Sequence, residues 1–317
     1  MAATDKAGEG PAAIRHPGAP EYGLLLVLSL VWGSSFIAIK LSVVGAMPPL
    51  TVAALRIGIA TLMLCGLAMA KGQAWPRFGR GGWKLWLRIA FLGVIGNSLP
   101  FFLISWGEQY TSSQLAGILM ATIPLFVVIL AHLMTHDEKL SWGKLIGVGL
   151  GFVGVVILVG VDALKGLGDQ VIGQLAILGG CLSYSLYGVN TRRLPQMGPE
   201  MTVGSILLAG FILMLPVWLW HDRPWALDWP ALWDSHAVHA AIWLGLASTG
   251  CGNLLFFVIL RRAGAGFSSF NNYLVPLIAL IYGYFWLGEL PGINAVAALV
   301  LVLMGLAAPR LLGRPRS

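Results

Sequence analysis

Two asparagines in apolar surroundings are the residues of this sequence that most clearly require a polar partner. Asn97 lies in IGNSLPFF, and Asn253 lies in CGNLLFF, 156 positions later. Because an unpaired amide is costly in an apolar environment, each side chain must face protein or a wet cavity. Both are predicted to line a cavity and bind solute, with a hydrogen bond between helices as the alternative. Asn272 is a third candidate, with a helix cap or an interface contact as its alternative.

Aromatic side chains form a second group of candidates. Trp32 and Phe36 are four residues apart, and Tyr184 and Tyr187 are three apart, so each pair shares one helix face. Trp32 lies in the middle of an apolar segment, whereas tryptophans that anchor a protein at the membrane surface lie near segment ends. These four residues are predicted to form part of the cavity wall.

Three charged residues are candidates for proton or charge coupling. Lys40 and Arg56 lie within apolar segments, and Glu108 ends one, in WGEQY. A charge at mid-membrane costs about 2.5–3.5 kcal/mol. Arg56 and Lys40 therefore either extend to the membrane surface or pair with a carboxylate such as Glu108. Glu108 would carry a proton if burial raised its pKa, and a solvated turn residue is the alternative.

The elements that carry these residues are predicted to be membrane-spanning helices. The chain is 57% hydrophobic and only 10% charged, with a mean hydropathy of +0.81, whereas soluble domains are about 25% charged. One span needs roughly 20 apolar residues. The sequence thus predicts an all-α membrane protein with ten transmembrane helices, at about residues 22–44, 49–70, 85–107, 112–134, 142–161, 171–193, 200–220, 237–260, 268–288 and 291–309.

The distribution of lysine and arginine predicts the orientation of the chain. With both termini in the cytoplasm, the cytoplasmic segments hold 16 of the 20 basic residues, and the outer loops hold only Lys165 and Arg223. This is the bias expected of a membrane protein. Residues 1–20 are predicted to be a disordered tail rather than a signal peptide, because they contain no apolar core. Residues 311–317 are predicted to be a short basic tail.

One five-helix unit is predicted to occur twice, in residues 21–161 and 171–310. After each glycine–asparagine pair come paired serines, a proline-led apolar run and a glutamate. That glutamate is Glu138 in the first unit and Glu289 in the second. We interpret the two glutamates as structural residues that bind the neighbouring turn.

The second unit is predicted to enter the membrane upside down, because five is an odd number of spans. The charges agree, since the basic segment 71–88 corresponds to the acidic segment 221–236. Inverted repeats place a solute pathway at their interface and permit alternating access.

Several segments resemble the EamA family of the drug/metabolite transporter superfamily. They are VWGSSFIAIKLSVVGAMPPLTVAALRIGIA, ISWGEQYTSSQLAGILMATIPLF and the two proline-led runs that end in glutamate. The resemblance covers roughly residues 22–310 and implies two inverted five-helix repeats. It also implies a secondary transporter, commonly an exporter, of small metabolites such as amino acids across a bacterial inner membrane. The second unit has Tyr184 and Tyr187 where the family usually has a tryptophan.

Other functional classes are less favoured. The spans contain no paired aspartates, Ser/His dyad or metal-ligand cluster, and no phosphate-binding glycine loop precedes a Lys-Ser/Thr pair. We therefore predict no enzyme activity, cofactor or metal, although an uptake permease, a channel-like facilitator and an integral-membrane enzyme remain alternatives. The predicted partners are a small-molecule substrate and the lipid bilayer, not nucleic acid. One face of the fifth predicted span carries a glycine at every fourth position, Gly143, Gly147 and Gly151. Such a face allows close packing against another helix, either of the same chain or of a second protomer, so a homodimer is possible.

Overall fold

All regular structure in the described residues is helical. The computed structural model describes residues 18–76, 82–134, 142–163, 169–191, 194 and 197–312. The long helices of this part of the chain are α1 Ala19–Val44, α2 Pro49–Ala70, α3 Gly82–Gly107, α4 Ser113–Met134, α5 Trp142–Ala163, α6 Asp169–Thr191, α7 Pro199–His221, α8 Ala237–Gly264, α9 Asn271–Leu287 and α10 Ile293–Leu312. A short helix, Trp229–Asp234, lies between α7 and α8.

Seven of these helices are long and apolar enough to cross a membrane: α1, α2, α3, α4, α6, α7 and α8. In α5 and α10 the apolar stretches are shorter, Trp142–Leu158 and Ile293–Ala308, and α9 has 17 residues. Large apolar side chains such as Leu62 and Phe285 are more than 70% exposed on the outside of the bundle. Such a surface suits lipid rather than water. The chain is therefore an all-α, multi-pass membrane protein.

The helix positions agree with the sequence prediction to within a few residues, with differences at both ends of the chain. α1 begins at Ala19, inside the segment predicted as a tail. Pro20 suits the first helical turn because its missing N–H needs no partner there, and the Glu21 carboxylate accepts a hydrogen bond from the Gly18 N–H. α10 continues to Leu312. The rest of both predicted tails and the Glu138 turn lie outside the described residues.

Helices α2 and α7 pack together and are joined at both ends. At one end the Thr51 hydroxyl donates a hydrogen bond of 2.6 Å to the Asp222 carboxylate. At the other, Lys71 and Gln73 donate hydrogen bonds of 2.5 and 2.6 Å to the Glu200 carboxylate. With a rise of 1.5 Å per residue, these two ends are about 30 Å apart. The segments that follow Lys71 and Asp222 therefore leave the bundle at opposite ends.

The packing order of the helices follows one rule. α2 packs on α7, and α5 packs on α10. α1 contacts α8 and α9, while α6 contacts α3 and α4; likewise α2 contacts α8, and α7 contacts α3. If α1–α5 are exchanged for α6–α10 in the same order, each of these contacts becomes another contact of the set. The contact of α1 with α8, for example, becomes that of α6 with α3.

The glycine-rich face of α5 packs within the chain. A Cβ added at Gly305 of α10 would lie 2.5 Å from the Gly147 carbonyl oxygen, and one added at Gly151 would lie 1.8 Å from Leu125 Cδ1 of α4. Small residues are thus required where α5 meets α10 and α4. This part of the face is occupied by helices of the same chain.

Helices α3 and α8 each contain a π-helical turn near their middle. The turns comprise Val94–Ser98 in α3 and Leu244–Cys251 in α8. A π turn disturbs the regular pattern of backbone hydrogen bonds, and such turns are frequent at functional sites. Asn97 lies inside the first turn, and Asn253 lies two residues after the end of the second.

Candidate functional site

The π turn of α8 binds two side chains through its backbone, one from α1 and one from α8 itself. The Trp32 indole N–H of α1 donates a hydrogen bond of 2.9 Å to the Ser248 carbonyl oxygen. The Asn253 amide donates one of 2.6 Å to the Thr249 carbonyl oxygen. Trp32 also stacks on Phe256, with ring centroids 5.6 Å apart. Both predicted residues, Trp32 and Asn253, are thus attached to this turn.

The π turn of α3 is bound in a similar way. The Ser183 hydroxyl of α6 donates a hydrogen bond of 2.7 Å to the Ile95 carbonyl oxygen. The ring of Tyr187 lies against Gly96 so closely that a Cβ at this glycine would be 2.2 Å from it. Asn97 is only 9% exposed, and its amide makes no hydrogen bond within the described part of the chain. Asn97 is therefore a buried polar group available to another partner.

Arg56 connects the π turn of α8 with the part of α3 that follows the α3 π turn. Its guanidinium is buried, and its Nε–H donates a hydrogen bond of 2.7 Å to the Thr249 hydroxyl in the α8 turn. Its Cζ lies 3.8 Å from the centroid of the Phe101 ring, which is a cation–π contact. Tyr184 of α6 packs edge-on against Phe101, with centroids 6.1 Å apart. Arg56, Phe101, Tyr184 and Thr249 form what we call the central polar site.

The sequence predicts that Arg56 either extends to the membrane surface or pairs with a carboxylate, and in the structure it does neither. A residue that extended to the membrane surface would be exposed, whereas Arg56 is 9% exposed. Among the described residues, no carboxylate oxygen lies within 4.0 Å of its nitrogens. Glu108 is close enough to interact with Arg56 through its charge but forms no ion pair with it. The cation is held instead by a hydroxyl and an aromatic face.

Glu108 lies just beyond the end of α3, and its carboxyl group is fully buried. Among the described residues, neither of its carboxyl oxygens has a hydrogen-bond partner. The Lys40 ammonium donates hydrogen bonds of 2.7 and 2.8 Å to the backbone carbonyls of Glu108 and Thr111. Burial raises the pKa of Glu108 well above its ordinary value, and Glu289 raises it further; the opposing effects come from Lys40 and Arg56. The neutral acid is therefore favoured in this conformation.

Glu289, in the turn between α9 and α10, caps the start of α4. Its carboxylate accepts hydrogen bonds from the backbone N–H groups of Ser113 and Gln114, at 3.0 and 3.1 Å, and from the Ser113 hydroxyl at 2.7 Å. Gln114 in turn donates hydrogen bonds to the carbonyls of Leu280 and Glu289. A negative charge is favourable at a helix N-terminus. Glu289 therefore binds the neighbouring turn, as its position in the sequence indicates.

The remaining candidates have different surroundings. Phe36 belongs to a buried apolar cluster with Ala116, Ile118 and Ala279, so it faces α4 and α9 while Trp32 faces α8. Asn272 is half-buried at the start of α9.

The neighbour of Asn272 makes the better-defined contact. Asn271 is only 4% exposed, and its side-chain amide oxygen accepts a hydrogen bond of 2.9 Å from the Ser29 hydroxyl of α1. Reasoning from the sequence considered both residues, chose Asn272 for the cavity wall, and missed that Asn271 makes this contact with α1.

Sequence reasoning also missed Phe101 and Thr249. A signal for Phe101 exists, because a Phe-Phe pair follows both glycine–asparagine pairs, as Phe101-Phe102 and Phe256-Phe257. One ring of each pair contacts a candidate residue. Phe101 makes a cation–π contact with Arg56, and Phe256 stacks on Trp32. For Thr249 the sequence gives no comparable signal, because its role depends on the π turn that brings it to Arg56.

A groove of about 280 Å³ lies away from the central polar site. It runs between α2, α3 and α7 and contains none of the candidate residues. Its wall is mainly apolar, and Leu213 and Val217 within it are at least half exposed on the bundle surface. Such a groove suits a lipid chain rather than a polar solute.

Comparison with known proteins identifies the family. The sequence pattern of the EamA-like transporter family matches residues 20–160 and again residues 171–308. The chain belongs to this family. The uncharacterized transporter YoaV of Bacillus subtilis is 24% identical to it over 286 residues, 89% of this chain and 94% of the relative.

Two further relatives of this EamA protein carry informative names. The probable terminal-alkyne amino-acid exporter of Streptantibioticus cattleyicolor is 27% identical over 92% of this chain and 94% of its own. The uncharacterized inner membrane transporter YedA of Escherichia coli K12 is 26% identical over 83% of this chain and 82% of the relative. A protein of known crystal structure has the same fold, with a TM-score of 0.65 and 21% identity over 94% of this chain and 99% of that one.

Proposed function

We propose that this EamA-family chain is a secondary transporter that exports small metabolites, such as amino acids, across the bacterial inner membrane by alternating access. The observation that carries the proposal is the packing order: each principal helix contact has a counterpart five helices away. This is the pattern expected of two inverted five-helix repeats, at residues 21–161 and 171–310. In such folds the solute lies at the interface between the repeats and is exposed to each side in turn.

Three further features support the inverted arrangement. The segments after Lys71 and Asp222 leave opposite ends of the bundle, as inversion requires. The π turns occur in the third helix of each proposed repeat. The first helix of each repeat donates a hydrogen bond to the π turn of the other, from Trp32 to Ser248 and from Ser183 to Ile95.

Glu108 is the residue we propose for proton coupling. Its carboxyl group is buried, has no hydrogen-bond partner within the described part of the chain, and is close enough to Lys40, Arg56 and Glu289 to interact with their charges. The basic-residue distribution supports an orientation with both termini in the cytoplasm and this end of α3 at the outer face. A conformation that opened this end would hydrate Glu108, lower its pKa and release or exchange the proton. Lys40 would hold the end of α3 rather than carry the proton.

Transport in proteoliposomes tests the proposal. Vesicles loaded with one unlabelled amino acid and diluted into the same labelled compound should accumulate the label transiently, because a carrier exchanges solutes across the membrane. Each member of a panel of amino acids and related metabolites would be tested in this way. Counterflow that saturates with substrate concentration would support a carrier mechanism. Flux that does not saturate and shows no counterflow would indicate a channel-like facilitator. An imposed pH gradient then tests coupling, and Glu108→Gln should keep counterflow while losing the response to pH.

The direction of transport requires cells. The relative named as an amino-acid exporter supports export, and uptake is the alternative. Cells that overproduce an exporter should resist toxic analogues of its substrate, while cells that overproduce an uptake permease should become more sensitive.

A further inference from the structure

Arg56 is a buried cation whose hydrogen-bonding capacity is mostly unused. It lies seven residues after the start of α2 at Pro49, about 10 Å into the bundle. Of the five N–H groups of a guanidinium, only Nε–H donates to a protein group within the described residues, to Thr249 Oγ1 at 2.7 Å. A buried charge is unfavourable unless it is paired. The remaining N–H groups therefore need an acceptor that the described residues do not supply.

The groups around Arg56 are suited to reversible binding of an anion. Thr249 contributes a neutral hydroxyl and Phe101 an aromatic face, and neither cancels the charge. The Tyr184 ring packs on Phe101, and its hydroxyl donates no hydrogen bond within the described part of the chain. A guanidinium fork with a nearby phenol O–H matches the two oxygens of a carboxylate.

The charge of Arg56 is not a requirement of the fold. The proposed inversion pairs α2 with α7, and the stretch of α7 that corresponds to Arg56 contains Ile206 and Leu207. Both are essentially fully buried apolar side chains. A helix in this position is thus compatible with an apolar residue, and the arginine in α2 serves a purpose specific to one half of the molecule.

We propose that Arg56 binds the carboxylate of the transported solute, so that the substrates are small monocarboxylates such as amino acids or 2-oxo acids. The inference rests on the transport function proposed above and names its substrate class. A single arginine balances a single negative charge, which favours a carboxylate over a phosphate dianion. Phe101 holds the guanidinium plane, Thr249 orients its Nε–H, and Tyr184 donates to the second carboxylate oxygen.

The test compares acids with their amides on the purified full-length protein. Neutral L-amino acids and the corresponding 2-oxo acids, each paired with its carboxamide, are added to protein in detergent, and thermal unfolding measures binding. We expect at least one acid to stabilise the wild-type protein and its amide to bind roughly 30-fold more weakly or worse, because loss of one member of a buried charged pair costs 2–5 kcal/mol or more. Arg56→Gln should remove the preference for the acid. Arg56→Lys should retain part of it, because the charge remains and the fork is lost.

Arg88, an exposed cation on α3, provides the matched control, and Arg88→Gln should keep the wild-type preference. Equal binding of acid and amide by the wild-type protein would overturn the inference without any variant. Retention of the preference in a folded Arg56→Gln protein would overturn it as well. Counterflow of the same compounds is measured separately, so acid binding without transport would refute the proposed function and leave the carboxylate site standing.

Discussion

Removal of the Glu289 cap should destabilise the bundle, because this one carboxylate joins the α9–α10 turn to the start of α4. It accepts three hydrogen bonds, two of them from backbone N–H groups of Ser113 and Gln114. Hydrogen bonds to charged groups contribute about 1.5–3 kcal/mol each, and they are not additive. The favourable interaction with the helix dipole adds about 0.3–1 kcal/mol. We therefore expect Glu289→Ala to lower the free energy of unfolding by about 2–4 kcal/mol.

Thermal and denaturant unfolding in detergent, followed by tryptophan fluorescence, would measure this loss. Glu289→Gln should have a smaller effect, because the amide oxygen still accepts one or two of the three hydrogen bonds. Asp228→Ala is the matched control: Asp228 caps the short helix Trp229–Asp234 through one exposed hydrogen bond of 3.1 Å to the Ala231 N–H. Its loss should cost about 1 kcal/mol or less. Equal, small effects of Glu289→Ala and Asp228→Ala would refute the role assigned to Glu289.

Two further changes test packing and charge. Gly305→Ala should lower stability by about 1–3 kcal/mol, because its methyl group would press on the Gly147 carbonyl oxygen; Gly149→Ala, with open space around it, should be neutral or slightly stabilising. An equal response of both variants in thermal unfolding would contradict the close approach of α5 and α10. The pKa of Glu108 is raised in the folded state, so its contribution is fully present below the ordinary pKa of 4.5 and is lost as pH rises through the raised value. Stability should therefore fall with pH above about 4.5, and Glu108→Gln should flatten that fall; an unchanged profile would show that Glu108 is not the titrating group.

The positions of the helices could be predicted from the sequence because membrane spans are local features. An apolar run of sufficient length and its flanking polar residues define a span without reference to the rest of the chain. The predicted second and fourth helices, at 49–70 and 112–134, are within one residue of Pro49–Ala70 and Ser113–Met134. The weak sequence similarity between the halves also pairs Asn97 with Asn253, and this pairing stays a prediction.

The contacts of the candidate site could not be predicted, because they depend on distant residues and irregular backbone. Arg56 meets Thr249 across 193 positions of sequence, and only the π turn of α8 brings that hydroxyl to it. Hydropathy does not distinguish a π turn from a regular helix. The sequence offered Glu108 as a partner for Arg56, whereas Arg56 is buried without an ion pair to any described residue. Lys40, not Arg56, binds Glu108, through its backbone carbonyl.

Site-specific cysteine labelling would test the inverted arrangement most directly. Single cysteines would replace Trp83 and Trp225, two exposed residues in corresponding parts of the proposed repeats. The background would lack Cys65, Cys181 and Cys251. A membrane-impermeant thiol reagent would be applied to intact cells and to inside-out vesicles. The account predicts that Cys at position 225 reacts in intact cells and Cys at position 83 only in inside-out vesicles, whereas reaction of both from the same side would contradict it.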